Sequence, residues 1–302
     1  MGSPFQFMVL IGVFAVSGCS ASQTRKETIR PGSSAARSFR VQVVGSGRPM
    51  ILIPGLTCSG EVWNSTVEHF KGRYQMHVLT LAGFAGQPAI QAPFLETVRR
   101  DLIGYIQEKN LDHPVVVGHS LGGFMAYWVA ATAPALVGPV VAVDGLPFLS
   151  DLFKPGATAE SSRPGAEQVR RMMASLTPDE FAAQNESYLK NMITDPDNVA
   201  KVATESAKST PSAVGEAMFE MMTTDLRPVV ASVKVPTLLV AGGAFAKDDK
   251  ERRELVAHCE RQLANIAHHR VVLADKARHF IMLDDPAFLL SQMDTFLAEA
   301  RN

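Results

Sequence analysis

The chain has 302 residues, of which 46% are hydrophobic and 20% are charged, and its formal net charge is -1 at pH 7. These proportions are typical of a folded globular protein with a substantial apolar core, and they argue against a disordered chain. The near-zero net charge gives no reason to expect nucleic acid or an anionic surface as a partner.

The first segment of the chain has the pattern of an export signal. Residues Phe7 to Val16 form an apolar run that is too short to span a bilayer and matches a signal-peptide core. The run leads into Val16-Ser17-Gly18-Cys19, which resembles the bacterial lipobox, whose cysteine is acylated. We therefore predict a signal peptide over residues 1–19, lipidation at Cys19 and a polar tether over residues 20–36. The implied location is a bacterial outer membrane, facing the periplasm and attached only through the lipid, or the secreted fraction.

Two alternatives stay open at this end of the chain. Residues Met1–Gln6 carry no Lys or Arg, although signal peptides normally begin with positive charge. The segment is therefore also consistent with a secretory signal in which Cys19 occurs by chance, or with a misassigned start codon.

From about Arg37 onward, short apolar runs alternate with helical patterns. This alternation predicts a mostly parallel β-sheet with helices on its faces. Several runs are unbroken apolar stretches, as expected for strands that are covered on both faces. The predicted strands are Phe39–Val44, Met50–Ile53, Met76–Leu81, Val115–Gly118, Val140–Asp144, Thr237–Ala241 and His269–Leu273. The predicted helices among them are Thr97–Lys109, Leu121–Ala131, Asp249–Ala264 and Pro286–Ala300.

The alternation is interrupted once, between about Leu146 and Ser232. This stretch contains no convincing strand, and its helical patterns are Ala166–Leu176, Pro178–Met192 and Ala213–Met222. We therefore predict a helical lid over residues 146–232, inserted between core segments 37–145 and 233–302.

A serine stands between a predicted apolar strand and a predicted helix. Gly118-His119-Ser120-Leu121-Gly122 fits the G-x-S-x-G pattern, in the strand–turn–helix context that a nucleophile elbow requires. The turn is sharp, so small residues are needed two positions away on each side. The helix N-terminus also points at the place where negative charge develops. Ser120 is the predicted nucleophile, and the side chain of His119 is expected to point away from the site.

This strand–serine–helix arrangement resembles the α/β-hydrolase fold superfamily, in its lidded esterase and lipase-like branch. The resemblance extends from about Phe39 to the C-terminus. It implies an α/β fold in which a mostly parallel central sheet is flanked by helices and carries an inserted helical lid. It also implies a catalytic triad in the chain order nucleophile, acid, histidine. Dehalogenases and epoxide hydrolases of this fold use an aspartate as nucleophile, whereas position 120 is serine.

The resemblance makes His279 the general base. It lies in Ala277-Arg278-His279-Phe280, shortly after the last predicted strand, where members of the superfamily present the histidine to the nucleophile. A serine hydroxyl is barely ionised at neutral pH, so it needs an imidazole to take its proton.

The acid has three candidates. In the superfamily it usually follows the strand after the lid, here Thr237–Ala241, and this position favours Asp248. Asp249 fits better as the cap of the next helix. Asp144 is the main rival, because some members carry the acid after the earlier strand.

Two backbone N–H groups are expected to form the oxyanion hole. By position, these are the N–H of Leu121, directly after the nucleophile, and that of Leu56, in Ile53-Pro54-Gly55-Leu56-Thr57. Members of the superfamily carry His-Gly at this loop, and Pro54 replaces the histidine here.

Other chemistries find little support in the sequence. We find no metal-ligand cluster, no phosphate-binding glycine loop and no cofactor fingerprint, so no metal and no cofactor are predicted. Cys58 and Cys259 are expected to be free, partly buried thiols, although a disulfide between them stays open.

These features predict a serine hydrolase, and specifically a carboxylesterase that cleaves esters of small or medium apolar acids through an acyl-serine intermediate. The preference for esters comes from the resemblance alone. Lactonase, thioesterase and C–C bond hydrolase activities with the same triad stay open, as does a non-catalytic ligand-binding relative. The expected partner is a small-molecule ester, with no nucleic acid, and the sequence does not indicate an oligomeric state.

Overall fold

The computed structural model describes residues 37–300. The predicted signal peptide, Cys19 and the tether therefore lie outside the described residues. Within residues 37–300, no helix is long and apolar enough to cross a membrane.

A seven-stranded sheet forms the centre of the described chain. Its strands lie in the order β1-β3-β2-β4-β5-β6-β7. Only β1 is antiparallel, pairing with β3, and the other neighbouring strands pair in parallel. The prediction of a mostly parallel sheet is confirmed, and all seven predicted strands are present. The strands are β1 Phe39–Gly45, β2 Arg48–Ile53, β3 Tyr74–Leu81, β4 Val115–His119, β5 Val140–Val143, β6 Thr237–Gly242 and β7 His269–Ala274.

Side chains that alternate along the strands divide the core into two layers. In β2, Ile51 and Ile53 belong to one buried cluster, whereas Met50 and Leu52 belong to the other. This follows from the two-residue period of a strand, which sends successive side chains to opposite faces of the sheet. Both faces of β2 are therefore covered, which explains why Met50–Ile53 is a continuous apolar run.

Helices cover the two faces and form the long connection between β5 and β6. Outside that connection they are α1 Asn64–Phe70, α2 Phe94–Glu108, α3 Leu121–Thr132, α9 Asp249–Leu263, α10 Ile281–Asp284 and α11 Pro286–Glu299. Within it they are α4 Ser150–Phe153, α5 Ala159–Ser175, α6 Pro178–Met192, α7 Pro196–Ser206 and α8 Pro211–Thr223, followed by a 3₁₀ turn at Val229–Ser232. In this helical insertion, α5 packs against α8 and α6 packs against α7.

Three helices of the insertion differ from the prediction, and one of them, the short helix α4, was not predicted at all. Helix α5 begins at Ala159, although Pro164 lies inside it and removes one backbone donor. Its start is fixed by Thr158, which exchanges hydrogen bonds with Ser161 in a capping box. Helix α7 was not predicted, although Asp195 caps it and Pro196 opens it. The same pattern, Asp285-Pro286, begins α11, whose start was predicted at Pro286, so the signal was readable in the sequence.

Candidate active site

The candidate residues gather at one edge of the sheet. Strands β2 and β4 to β7 run parallel, so their carboxyl ends lie along the same edge. In open α/β sheets, ligands bind outside this edge. The loops that leave it carry Gly55, Ser120, Asp144 and His279.

Ser120 occupies the sharp turn that the sequence predicts between β4 and α3. Its backbone has φ 53° and ψ −114°, in a region that a residue with a side chain rarely adopts. The flanking glycines allow the chain to approach itself closely. A Cβ atom on Gly118 would lie 2.0 Å from the carbonyl oxygen of Gly122, and one on Gly122 would lie 2.2 Å from that of Ile53. Neither position can therefore hold a side chain without moving the turn.

His279 and Asp144 form a hydrogen-bonded pair. Nδ1 of His279 lies 2.6 Å from Oδ2 of Asp144, and the backbone N–H of Gly242 donates to Oδ1 of Asp144 at 2.8 Å. The side chains of His279 and Asp144 are 13% and 25% exposed, so solvent still reaches the pair. The carboxylate is thus oriented by one backbone donor while it accepts the imidazole N–H.

Two hydrogen bonds place the serine beside this pair. The backbone N–H of Ser120 donates to the carbonyl oxygen of Val143, the residue before Asp144, at 2.9 Å. The ring of His119, the residue before Ser120, lies 3.1 Å from the carbonyl oxygen of His279. The structure therefore brings Ser120, Asp144 and His279 together at one point of the sheet edge.

The expectation that Asp248 orients His279 is wrong. Asp248 is exposed and caps α9, where its Oδ1 accepts the backbone N–H of Glu251 at 2.8 Å. This hydrogen bond lowers the pKa of Asp248, as expected for a capping carboxylate. Asp249 was expected to be the cap, but it lies in the first turn and pairs with Arg252 instead.

The rival candidate, Asp144, was hard to identify in the sequence because it directly follows the apolar residues of a strand. The sequence pattern made Asp144 the last residue of a strand over Val140–Asp144, but β5 ends at Val143. Asp144 has φ 48°, so the chain turns there and the carboxylate leaves the alternation of the strand. Aspartate is among the few residues that adopt this left-handed conformation readily.

The loop after β2 lies directly against the serine turn. A Cβ atom on Gly55 would lie 3.4 Å from Cβ of Ser120. The loop turns tightly, because the N–H of Cys58 donates to the carbonyl of Gly55 at 3.2 Å and Thr57 has φ 65°. Leu56 thus follows the point of closest approach, and Leu121 is the first residue of α3. The oxyanion-hole role of their two N–H groups stays a prediction.

The expectation that His119 points away from the site is also wrong. Its ring centroid lies 4.6 Å from that of His279. Sequence reasoning gave no role to this residue, because the pattern fixes only the glycines and the serine.

The helical insertion contacts the loop that carries His279. Asp284 accepts hydrogen bonds from the backbone N–H of Arg278 at 2.9 Å and from that of Thr194 at 2.8 Å. The guanidinium group of Arg278 donates to the carbonyl oxygen of Ile193, just beyond α6, at 3.2 Å. These contacts join the end of α6 to the residues on either side of His279, and the sequence gave no signal for them.

Tyr188 stands out on the inner face of α6. At helical spacing it shares a face with Phe181 and Met192, which are both buried, yet Tyr188 is 42% exposed. Burial raises the pKa of Tyr188 to about 12, and the negative charge of Asp144 acts in the same direction. Tyr188 is therefore a partly accessible aromatic side chain on the face of α6 that also carries buried residues.

The two cysteines within residues 37–300 are free and buried. Burial raises the pKa of each thiol to about 12, so neither forms a thiolate readily. Within the same residues, no group of three or more His, Cys, Asp or Glu side chains could hold a metal ion.

Comparison with known proteins agrees with this architecture. The chain matches the Alpha/beta hydrolase family over residues 50–292, and it belongs to that family. The protein is therefore a hydrolase of the α/β type.

Individual relatives are distant. Over 255 residues the chain is 22% identical to a pimeloyl-[acyl-carrier protein] methyl ester esterase of Legionella pneumophila (strain Corby), covering 84% of this chain and 96% of the relative. Among solved structures, the enol-lactonase from Burkholderia xenovorans LB400 aligns with a TM-score of 0.69 at 17% identity, covering 86% of this chain and 96% of the other. A thermophilic esterase from Thermogutta terrifontis aligns with a TM-score of 0.68 at 21% identity, covering 87% and 94%. At these identities the solved structures establish the fold.

Proposed function

We propose that the protein is a serine carboxylesterase with Ser120 as nucleophile, His279 as general base and Asp144 as the acid. The observation that carries the proposal is the 2.6 Å hydrogen bond between His279 and Asp144, next to the strained turn at Ser120. Acyl transfer needs a serine on a strained turn, an imidazole beside it and a carboxylate that orients the imidazole. A protein that only binds a ligand has no use for all three groups.

Each group has a defined part in the reaction. The N–H at Nδ1 of His279 donates a hydrogen bond to the carboxylate of Asp144, so the lone pair lies on Nε2 and can take the hydroxyl proton of Ser120. The serine oxygen then attacks the ester carbonyl. The backbone N–H groups of Leu56 and Leu121 face the oxyanion by position, and each such donor lowers the barrier by roughly 3 kcal/mol.

The second half of the reaction returns the enzyme to its starting state. The imidazolium gives its proton to the departing alcohol, which leaves an acyl-serine. A water molecule, deprotonated by His279, attacks the acyl carbonyl, and the collapse of this intermediate releases the acid and restores the hydroxyl of Ser120.

The substrate class is inferred from the relatives and from the insertion. The Legionella relative bears the name of a methyl ester esterase, and the Thermogutta protein that of an esterase. We infer an ester of a small or medium apolar acid, which would enter between the helical insertion and the sheet edge, with Tyr188 on one wall. In this role the insertion is a lid.

Replacing the nucleophile tests the mechanism. Ser120→Ala should lower ester hydrolysis by at least about 10³-fold while the melting temperature stays close to that of the wild type, because only the acyl-enzyme route is lost. A chain-length series of p-nitrophenyl esters would report activity and the acyl-chain length that the site accepts. A fluorophosphonate should label the wild type and not Ser120→Ala, and near-wild-type turnover in that variant would falsify the mechanism.

We further propose that the protein is exported and attached to a membrane through a lipid on Cys19. The lipobox-like sequence before Cys19 supports this, and the segment lies outside the described residues. In bacteria that express the full chain, the wild type should sediment with membranes, and Cys19→Ser should appear unprocessed or soluble. Identical fractionation of the two proteins would mean that the cysteine is not an anchor.

A further inference from the structure

His119 is a buried side chain of the site that the mechanism above does not use. It is 1% exposed, and its ring packs against two aromatic neighbours. The ring centroids of His279 and Phe280 each lie 4.6 Å from its own. A polar ring in such a place needs a physical reason, because burying its nitrogen atoms without partners costs free energy.

The hydrogen-bond partner of His119 determines its protonation. Nε2 lies 3.1 Å from the carbonyl oxygen of His279, and a carbonyl oxygen can only accept, so the hydrogen is on Nε2. Burial and the neighbouring His279 both hold the pKa of His119 well below its usual value. His119 is therefore neutral, with Nε2 as donor and Nδ1 as a bare lone pair.

The other edge of the ring faces the loop after β2. Nδ1 has no hydrogen-bond partner within the described part of the chain. A Cβ atom on Gly55 would lie 2.7 Å from it, so the backbone of this loop rests directly on the ring. His119 thus links three segments. Its backbone is part of the turn that holds Ser120, its Nε2 atom contacts the loop of His279, and its Nδ1 edge contacts the loop that carries Leu56.

We propose that His119 is a positioning residue, which fixes the backbone of His279 relative to Ser120. This inference rests on the proposed function. His119 precedes the nucleophile in the chain and donates a hydrogen bond to the carbonyl oxygen of the general base, His279. The two loops therefore cannot separate without breaking that hydrogen bond. Geometry matters at this point, because a displacement of about 1 Å in an active site can cost roughly 10²-fold in rate.

Three substitutions separate the hydrogen bond from the packing of the ring. His119→Phe keeps an aromatic ring but removes the donor. His119→Gln removes the ring but carries an N–H near the position of Nε2, whereas His119→Asn is too short to reach it. The expected kcat falls about tenfold in the Phe and Asn variants and stays within about twofold of the wild type in Gln, with KM nearly constant in all three.

The opposite pattern would overturn the proposal. If His119 only fills space, Phe retains the wild-type kcat and Gln loses activity. Melting temperatures identify any variant that fails to fold, and the Gln and Asn pair decides the matter if Phe does not fold. The rate of fluorophosphonate labelling at Ser120 should follow kcat across the series, because the same base activates the serine in both reactions.

Failure of the proposed function has a different signature. In that case the wild type neither hydrolyses esters nor reacts with the fluorophosphonate, and Ser120→Ala behaves like the wild type. If the wild type is active through Ser120 while His119→Phe is equally active, only the positioning role is wrong.

Discussion

Asp144 and Asp248 both carry a carboxylate, but Asp144 contacts the imidazole of His279 whereas Asp248 caps a helix. Asp144 accepts the N–H of His279 and that of Gly242 at a partly enclosed edge of the sheet. Asp248 accepts the N–H of Glu251 on an exposed helix end. An acid that orients an imidazole must hold one geometry while the histidine gains and loses a proton, and only Asp144 makes that contact.

Exchanging each carboxylate for an amide should separate these two functions. Asp144→Asn keeps the shape of the side chain but favours the wrong tautomer of His279, so kcat should fall by about 10⁴-fold, as it does in serine proteases. Asp248→Asn is the matched control and should turn over normally, because asparagine also caps helices well. The measurements are kcat for both variants and their melting temperatures. Normal turnover in a folded Asp144→Asn would refute the assignment of the acid.

The residues of the site were unequally visible in the sequence. Ser120 was readable because the glycines around it report a steric requirement of the backbone, and His279 because it follows the last strand. The choice between Asp144 and Asp248 depends on a left-handed backbone angle and on a contact between distant loops. Neither of these features can be predicted from the pattern of residue types. The sequence therefore indicated the candidate acids but could not decide between them.

At the scale of elements, the helical insertion is hydrogen-bonded to the loop that carries His279 and to the loop after β2. The end of α6 is held to the histidine loop through Arg278 and Asp284. Ser209, between α7 and α8, donates to the carbonyl oxygen of Thr57, in the loop after β2, at 3.3 Å. The insertion thus touches both loops that flank the nucleophile, and its inner face is expected to shape the substrate recess.

Truncating Tyr188 should change which acyl chains are accepted. In the proposed function Tyr188 lines the substrate site, so Tyr188→Ala makes room for a longer acyl chain. Each buried methylene of that chain contributes about 0.8 kcal/mol, so kcat/KM for octanoyl over acetyl esters should rise severalfold. Ser187→Ala is the matched control, since Ser187 is exposed on the outer face of α6. The p-nitrophenyl ester series measures the ratio. An unchanged ratio in Tyr188→Ala would mean that this face of α6 does not contact the acyl chain.

The elements themselves were largely predictable, and the exceptions have local causes. The central strands β4, β5 and β6 could be predicted because both of their faces are covered and each is a largely continuous apolar run. The edge strands β1 and β7 hold exposed polar residues and could be predicted from shorter apolar stretches. Helix α5 was shortened in the prediction because Pro164-Gly165 is an unfavourable pair inside a helix, and packing against α8 outweighs that preference. The short helices α1 and α4 make too few turns to show a period.

At the scale of the whole molecule, buried neutral histidines make the fold sensitive to acid. Burial lowers the pKa of His77, His119 and His258. Each of these groups binds protons more readily in the unfolded chain than in the folded one. The unfolded state therefore gains protons first as the pH falls below about 6.5, and the folded state loses stability by up to about 1.4 kcal/mol per pH unit for each histidine. Burial raises the pKa of Glu220, which acts in the opposite direction.

Replacing one of these histidines should weaken the acid sensitivity. His77 hydrogen-bonds to Tyr105 and Gln75, and a glutamine in its place keeps polar atoms there but cannot take up a proton. We expect the loss of unfolding free energy between pH 7.5 and pH 5.5 to be smaller in His77→Gln than in the wild type, as measured by urea denaturation at both values. His268→Gln is the control, because His268 is exposed and should leave the difference unchanged. If His77→Gln loses as much stability on acidification as the wild type does, the neutral state of His77 contributes nothing to the pH dependence.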